Sequence, residues 1–217
     1  MNELKNETEL SDRKYASSLL LFGIIQWILV IIISEGLQPD YISSIHYVST
    51  LGTGYTATFY NISTIILGSS ISSSVIYLRK FSSSRLFIAL ILIAGLATIG
   101  VGVFPEDSRP MHGIVTPIAL IFAALSAMST RSLLNKPVFF FVFALGFISL
   151  ITGLIFIPYL GLPVESREMC LGFYKGTLER IVIYTNLLWI LLLGSQISVQ
   201  PVTENNPNLR DSIALSS

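Results

Sequence analysis

Apolar residues run along the chain in six blocks broken by polar connections: Ala16–Ser34, Asn61–Leu78, Leu86–Phe104, His112–Ser129, Pro137–Tyr159 and Thr177–Ile197. Within each block the apolar positions lie on every side of a helical wheel and do not alternate. A helix of about 20 such residues crosses a hydrocarbon core about 30 Å thick and satisfies its own backbone groups, whereas a membrane barrel would show short alternating segments. The pattern predicts an all-α integral membrane protein with six transmembrane helices in one bundle. Residues 1–15 form an N-terminal segment, 16–197 the transmembrane domain, and 198–217 a polar tail expected to be disordered. Lys5, Arg13 and Lys14 precede the first run as they would in a signal peptide. Its length, and "SEGLQPD" in place of a cleavage pattern, mark it as retained. The second run, "NISTIILGSSISSSVIYL", is the most polar. Its serines can return hydroxyls to backbone carbonyls and let helices approach closely, which places it inside the bundle.

Composition agrees: 52% of the 217 residues are hydrophobic and 12% charged, too little charge to cover a soluble surface of that size. The net charge is zero, so the basic surplus that nucleic-acid binding requires is missing and no nucleic-acid partner is expected. The single cysteine, Cys170, can close no intrachain disulfide and has no second thiolate for a metal.

Lys and Arg orient the spans. With a cytoplasmic N-terminus, Lys5, Arg13, Lys14, Arg79, Lys80, Arg85, Arg131, Lys136 and Arg210 fall inside, 9 of 13 basic residues. Arg109, Arg167, Lys175 and Arg180 fall outside. Both short inner loops are basic and the long first outer loop has no Lys or Arg, as the positive-inside rule requires. Both termini are therefore expected in the cytoplasm, with the chain a multi-pass protein of the plasma membrane.

This orientation gathers both histidines and 7 of 13 acids at the outer face. In "GVFPEDSRPMHG", Pro105 ends span three, Ser108 is a candidate cap for span four, and Pro110 stands in its first turn. His112 then lies near the positive end of the helix dipole, above a small polar stripe of Thr116, Ala119 and Ala123 that suits helix packing better than lipid. In "GTLERIVIYTNLLW", Thr177 is a candidate cap, Glu179 falls in the first turn, and Asn186 returns to nearly the same face. Arg180 must snorkel or pair with an acid, and Glu106 and Asp107 are nearest in depth.

The expected site is thus an outward cavity where His112, Arg180 and Glu106 or Asp107 converge. His112, Glu106 and Asp107 are its candidate catalytic residues, and Arg180, Glu179, His46 and Asn186 its candidate binding residues. Such a set could bind an anionic headgroup or perform acid–base chemistry on one. A plainer reading stands beside it: acids near a helix start complement its dipole, an interfacial Arg is commonly structural, and solvent can satisfy His46. Two histidines and an acid could ligate zinc, but there is no HxxxH or HExxH spacing, so no metal is expected. Neither a P-loop nor a dinucleotide fingerprint occurs, so no cofactor is expected. No GxSxG elbow occurs, and the mid-span charges of a pump are missing.

Three signatures together, "HYVSTLG" (46–52), "VGVFPEDSRPMHG" (101–113) and "GTLERIVIYTNLLW" (176–189), resemble the largely archaeal six-span family catalogued as domain of unknown function 998. The matching positions are Ser49, Leu51 and Gly52; Gly102, Phe104, Pro105 and His112; and Gly176, Arg180 and Trp189. The Phe-Pro loop with its downstream His also bears a distant likeness to the Frag1 and DRAM group of membrane proteins, some linked to lipid-anchor remodelling, which implies a lipid-facing role by analogy. Two functions follow as expectations: an outer pocket that binds or processes a lipid or isoprenoid headgroup, or a non-catalytic assembly subunit. Membrane lipids are the partners in the first case, and a second membrane protein or a second copy in the other. The sequence leaves open whether the chain is an enzyme.

Overall fold

Each apolar run forms one helix in the computed structural model, which describes residues 2–164 and 166–199. These are α1 (Asn2–Leu37), α2 (Ala57–Phe81), α3 (Arg85–Val103), α4 (Met111–Met128), α5 (Lys136–Phe156) and α6 (Lys175–Val199). All six are long and apolar enough to cross a membrane. α1 continues back through the expected N-terminal segment as far as Asn2. Residues 200–217, most of the expected tail, lie outside the described residues, and 198–199 belong to α6.

Local chemistry sets the helix ends. Ser84 caps α3 by accepting the Phe87 N–H at 3.2 Å, and Asn135 caps α5 by accepting that of Val138 at 3.2 Å. Phe104 ends α3 before Pro105, whose ring opposes a helical conformation in the residue ahead of it. Two expected caps are corrected. α4 starts after Pro110, and Ser108 contributes its backbone carbonyl, not its hydroxyl, to the His112 N–H at 3.2 Å. α6 starts at Lys175, so Thr177 is already helical and Glu179 lies beyond the first turn. The α5–α6 connection holds a small antiparallel hairpin, β1 (Met169–Cys170) with β2 (Phe173–Tyr174), turning through Leu171 and Gly172 at positive φ.

Each helix packs against its neighbours in sequence, α6 returns to α1, and α6 also meets α4, so the helices close into a ring. Lipid tails are as apolar as Leu, so a membrane bundle is held by close packing and interhelical hydrogen bonds more than by hydrophobic transfer. α2 supplies both. Ser63 donates to Gln26 Oε1 at 2.7 Å, and Gln26 Nε2 donates to the Ser63 carbonyl at 3.0 Å. Trp27 donates to Thr64 Oγ1 at 3.0 Å. At Gly68 the backbones of α2 and α3 nearly touch: a Cβ there would lie 2.5 Å from Ile99 N and 2.6 Å from Gly95 O. The polar second run therefore sits within the bundle, while Phe140, Phe141 and Leu154 on α5 point outward.

Candidate functional site

The long connections 38–56, 104–110 and 157–174 all emerge at one end of the ring, called here the long-loop end. α3 stops at Phe104 and the chain turns through Glu106 to re-enter as α4, which folds His112 back over the end of α3. His112 Nδ1 lies 2.7 Å from the Phe104 carbonyl, which can only accept, so Nδ1 carries the hydrogen. Nε2 lies 3.1 Å from Thr116 Oγ1 one turn below, and in the neutral ring it accepts that hydroxyl. Both ring nitrogens are thus engaged, and the ring is buried.

Loop 38–56 is held between two buried carboxylates. Glu106 Oε2 accepts the Thr50 hydroxyl at 2.7 Å and that of Ser49 at 3.5 Å. From the opposite side Glu179 Oε2 accepts the Val48 N–H. Glu106 is 8% exposed and Glu179 3%. The three sequence signatures meet here, the first held between an acid of the second and an acid of the third. Asp107, the other candidate acid of the opening loop, is exposed.

Arg180 is placed differently from expectation. It pairs with Glu35 at the end of α1, Nη2 to Oε1 at 2.6 Å, and not with Glu106 or Asp107. Nη2 also donates to the Tyr41 hydroxyl at 2.5 Å, and Nη1 donates to the carbonyls of Ser43, His46 (3.1 Å) and Gly176 (3.0 Å). Depth brought Arg180 to the correct height, but ring closure turns it towards α1. Its role is to fasten residues 41–46 onto α6. Gly176 completes the seam, since a Cβ there would lie 2.3 Å from the His46 carbonyl.

His46 belongs to the same seam. Its Nδ1 accepts the Ile42 N–H at 2.9 Å and its ring packs on Tyr41, 5.5 Å between centroids. Burial pushes the Tyr41 phenol above the usual tyrosine range, against a smaller downward pull from Arg180, so it remains a protonated donor. Tyr47 is likewise raised by burial, and its hydroxyl is committed to the Tyr159 carbonyl.

A cavity of about 450 Å³ opens at this end, with Glu106, His112, Glu179, Tyr47 and Ser49 in its polar wall and Phe156 and Leu160 opposite. Arg109 stands at its rim, exposed, donating to the Gly161 carbonyl at 3.0 Å. Ser49, Thr116 and Glu179 also line a second cavity of about 90 Å³ inside the ring, walled by Trp27, Ala94, Ala119, Asn186 and Trp189. The stripe below His112 does face the interior. Asn186 stands there too, donating to the Leu120 carbonyl at 3.2 Å. Thr116, Phe156 and Leu160 also border a narrow apolar crevice of about 10 Å³ between α4 and α5, lined by Pro117, Ile121 and Ile157. Thr116 borders all three spaces.

The structure therefore brings Glu106, His112 and Glu179 to one cavity, sets Asn186 in the adjoining one, and leaves Arg180, His46 and Asp107 out of both. It adds Ser49, Thr50, Tyr47, Thr116 and Arg109. Arg109 had a signal in sequence, as the one cation of the opening loop. Among the described residues no group of three His, Cys, Asp or Glu side chains is placed to hold a metal ion.

Six membrane-spanning helices around a polar mouth define a multi-pass integral membrane protein. The family described as "Protein of unknown function (DUF998)" matches residues 21–196, nearly the whole transmembrane domain, and the chain belongs to that family. No curated protein and no solved structure matches it.

Proposed function

We propose that the cavity at the long-loop end binds, or holds for reaction, the polar end of a membrane amphiphile, and that this end faces outward from the cell. The observation that carries the reading is the change in character at Thr116. Glu106 and His112 line the mouth but not the spaces beyond Thr116, which are a largely apolar cavity inside the ring and a narrow apolar crevice between α4 and α5. A headgroup in the mouth would have its first chain carbons beside Thr116, and the rest of the chain would widen the narrow α4–α5 crevice as it left. The interior cavity has room for a few carbons, since it is smaller than the roughly 150 Å³ cavities that take up benzene. Assembly through small-residue faces is less well supported, because Gly68 and Gly95, and Gly146 against Ala124 and Ala127, are packed within this chain.

Gly113 provides the test. It lines the cavity, and a Cβ added there meets no atom within 4 Å. Gly113→Trp should fold and fill the mouth. Protein purified from membranes should retain one lipid class at near-stoichiometric amount by mass spectrometry, and Gly113→Trp should lose it. Equal retention of bulk-membrane lipid by both would rule the reading out.

Orientation is tested by single-cysteine labelling on a Cys170→Ser background. A cysteine at Ser108 should react with impermeant reagent on intact cells, and cysteines at Ser83 and Asn135 only after lysis. The reverse pattern would turn the cavity to the cytoplasm.

A further inference from the structure

We propose that the headgroup taken by this cavity is uncharged and hydroxylated, of the glycerol or sugar type, and not a phosphate. This inference rests on the reading of the cavity as an amphiphile site. It follows from which hydrogen-bonding groups of the wall are already used. The donors are largely spent. Tyr47 gives its hydroxyl to Tyr159, Ser49 and Thr50 give theirs to Glu106, and Arg180 is turned into the α1 seam. Both nitrogens of His112 are engaged within α4 and the α3 end, and the donors left over belong to Arg109, which gives one of its five N–H groups to Gly161 and stands exposed at the rim, outside the buried wall.

The acceptors are not spent. Glu106 is more than nine-tenths buried and lines the cavity. Its Oε2 holds Thr50 and Ser49, while Oε1 accepts no bond among the described residues. Glu179 is a second buried acid in the same wall, with its Oε2 already accepting the Val48 N–H. The third acceptor arises from Pro117 inside α4. A proline has no N–H, so the helical bond that residue 117 would make to the Gly113 carbonyl is missing, and Gly113 lines the cavity. A phosphate would bring negative charge and further acceptors against buried Glu106, with only the exposed rim cation Arg109 to offset them. An ammonium would satisfy charge but donates from a single point. The open acceptors come from the α3–α4 turn and from α4, a spread that separate hydroxyls can match.

The test uses the full chain in amphipol and three probes with one oleoyl chain length: monooleoylglycerol, oleoyl lysophosphatidic acid and oleylamine. Monooleoylglycerol should raise the unfolding midpoint by about 3 °C or more, and the other two by under about 1 °C. Pro117→Ala restores the N–H that takes up the Gly113 carbonyl. It should leave the protein folded while weakening monooleoylglycerol binding about threefold to tenfold, and Glu106→Gln should weaken it about tenfold. A larger shift with the phosphate or the amine, or unchanged affinity in both variants, would overturn the headgroup assignment and leave the amphiphile reading standing. No shift with any probe would overturn both.

Discussion

Arg180→Ala should lower the unfolding midpoint by about 6 to 12 °C, the largest loss expected from any single polar side chain in this protein. The side chain joins α6 to the end of α1 through Glu35, to Tyr41, and to the Ser43, His46 and Gly176 carbonyls. Truncation strands these acceptors. Glu35 keeps 27% side-chain exposure, so water softens the loss there, whereas the Arg180 side chain is 11% exposed. A half-wet ion pair together with hydrogen bonds from a charged donor amounts to about 3 kcal/mol. In a chain of this size each kcal/mol moves the midpoint by roughly 2–4 °C. Arg180→Lys should recover less than half, because an ammonium cannot span Glu35 and the loop carbonyls as the guanidinium fork does. Thermal unfolding checks the magnitude, and limited proteolysis should show residues 38–47 opening first. A midpoint within about 1 °C of wild type would mean that the seam does not hold the loop.

The same residue marks where sequence reasoning stops. Apart from the start of α1, which runs back from Ala16 to Asn2, span boundaries are legible to within a few residues because a bilayer demands long apolar runs whatever the packing. Facing was legible where small residues recur at helical spacing, which put Thr116, Ala119 and Ala123 in the interior. Depth was legible as well. Direction around the ring was not, since it depends on which helices become neighbours. Arg180 therefore found Glu35, far away in sequence, and not Glu106, whose carboxylate instead took Thr50 and Ser49. Helix starts were misjudged for a related reason. Ser108 and Thr177 are good capping residues, but their hydroxyls lost to backbone contacts made by loops whose positions only the tertiary structure sets. The hairpin turn was half visible: Gly172 suits its positive φ, and Leu171 at φ 52° gave no warning.

Photo-crosslinking reads directly whether an amphiphile sits with its polar end in the mouth and its first carbons beside Thr116. Two probes, one with a glycerol and one with a phosphate headgroup, would each carry a diazirine on the chain carbons nearest the headgroup. They would be added to membranes containing the wild-type protein or Gly113→Trp. Adducts should form on peptides holding Ala119, Leu120 or Trp189 with at least one probe, and should be lost in Gly113→Trp, whose indole fills the mouth. Adducts confined to the lipid-facing Phe140, Phe141 and Leu154, equally strong in both proteins, would contradict that placement.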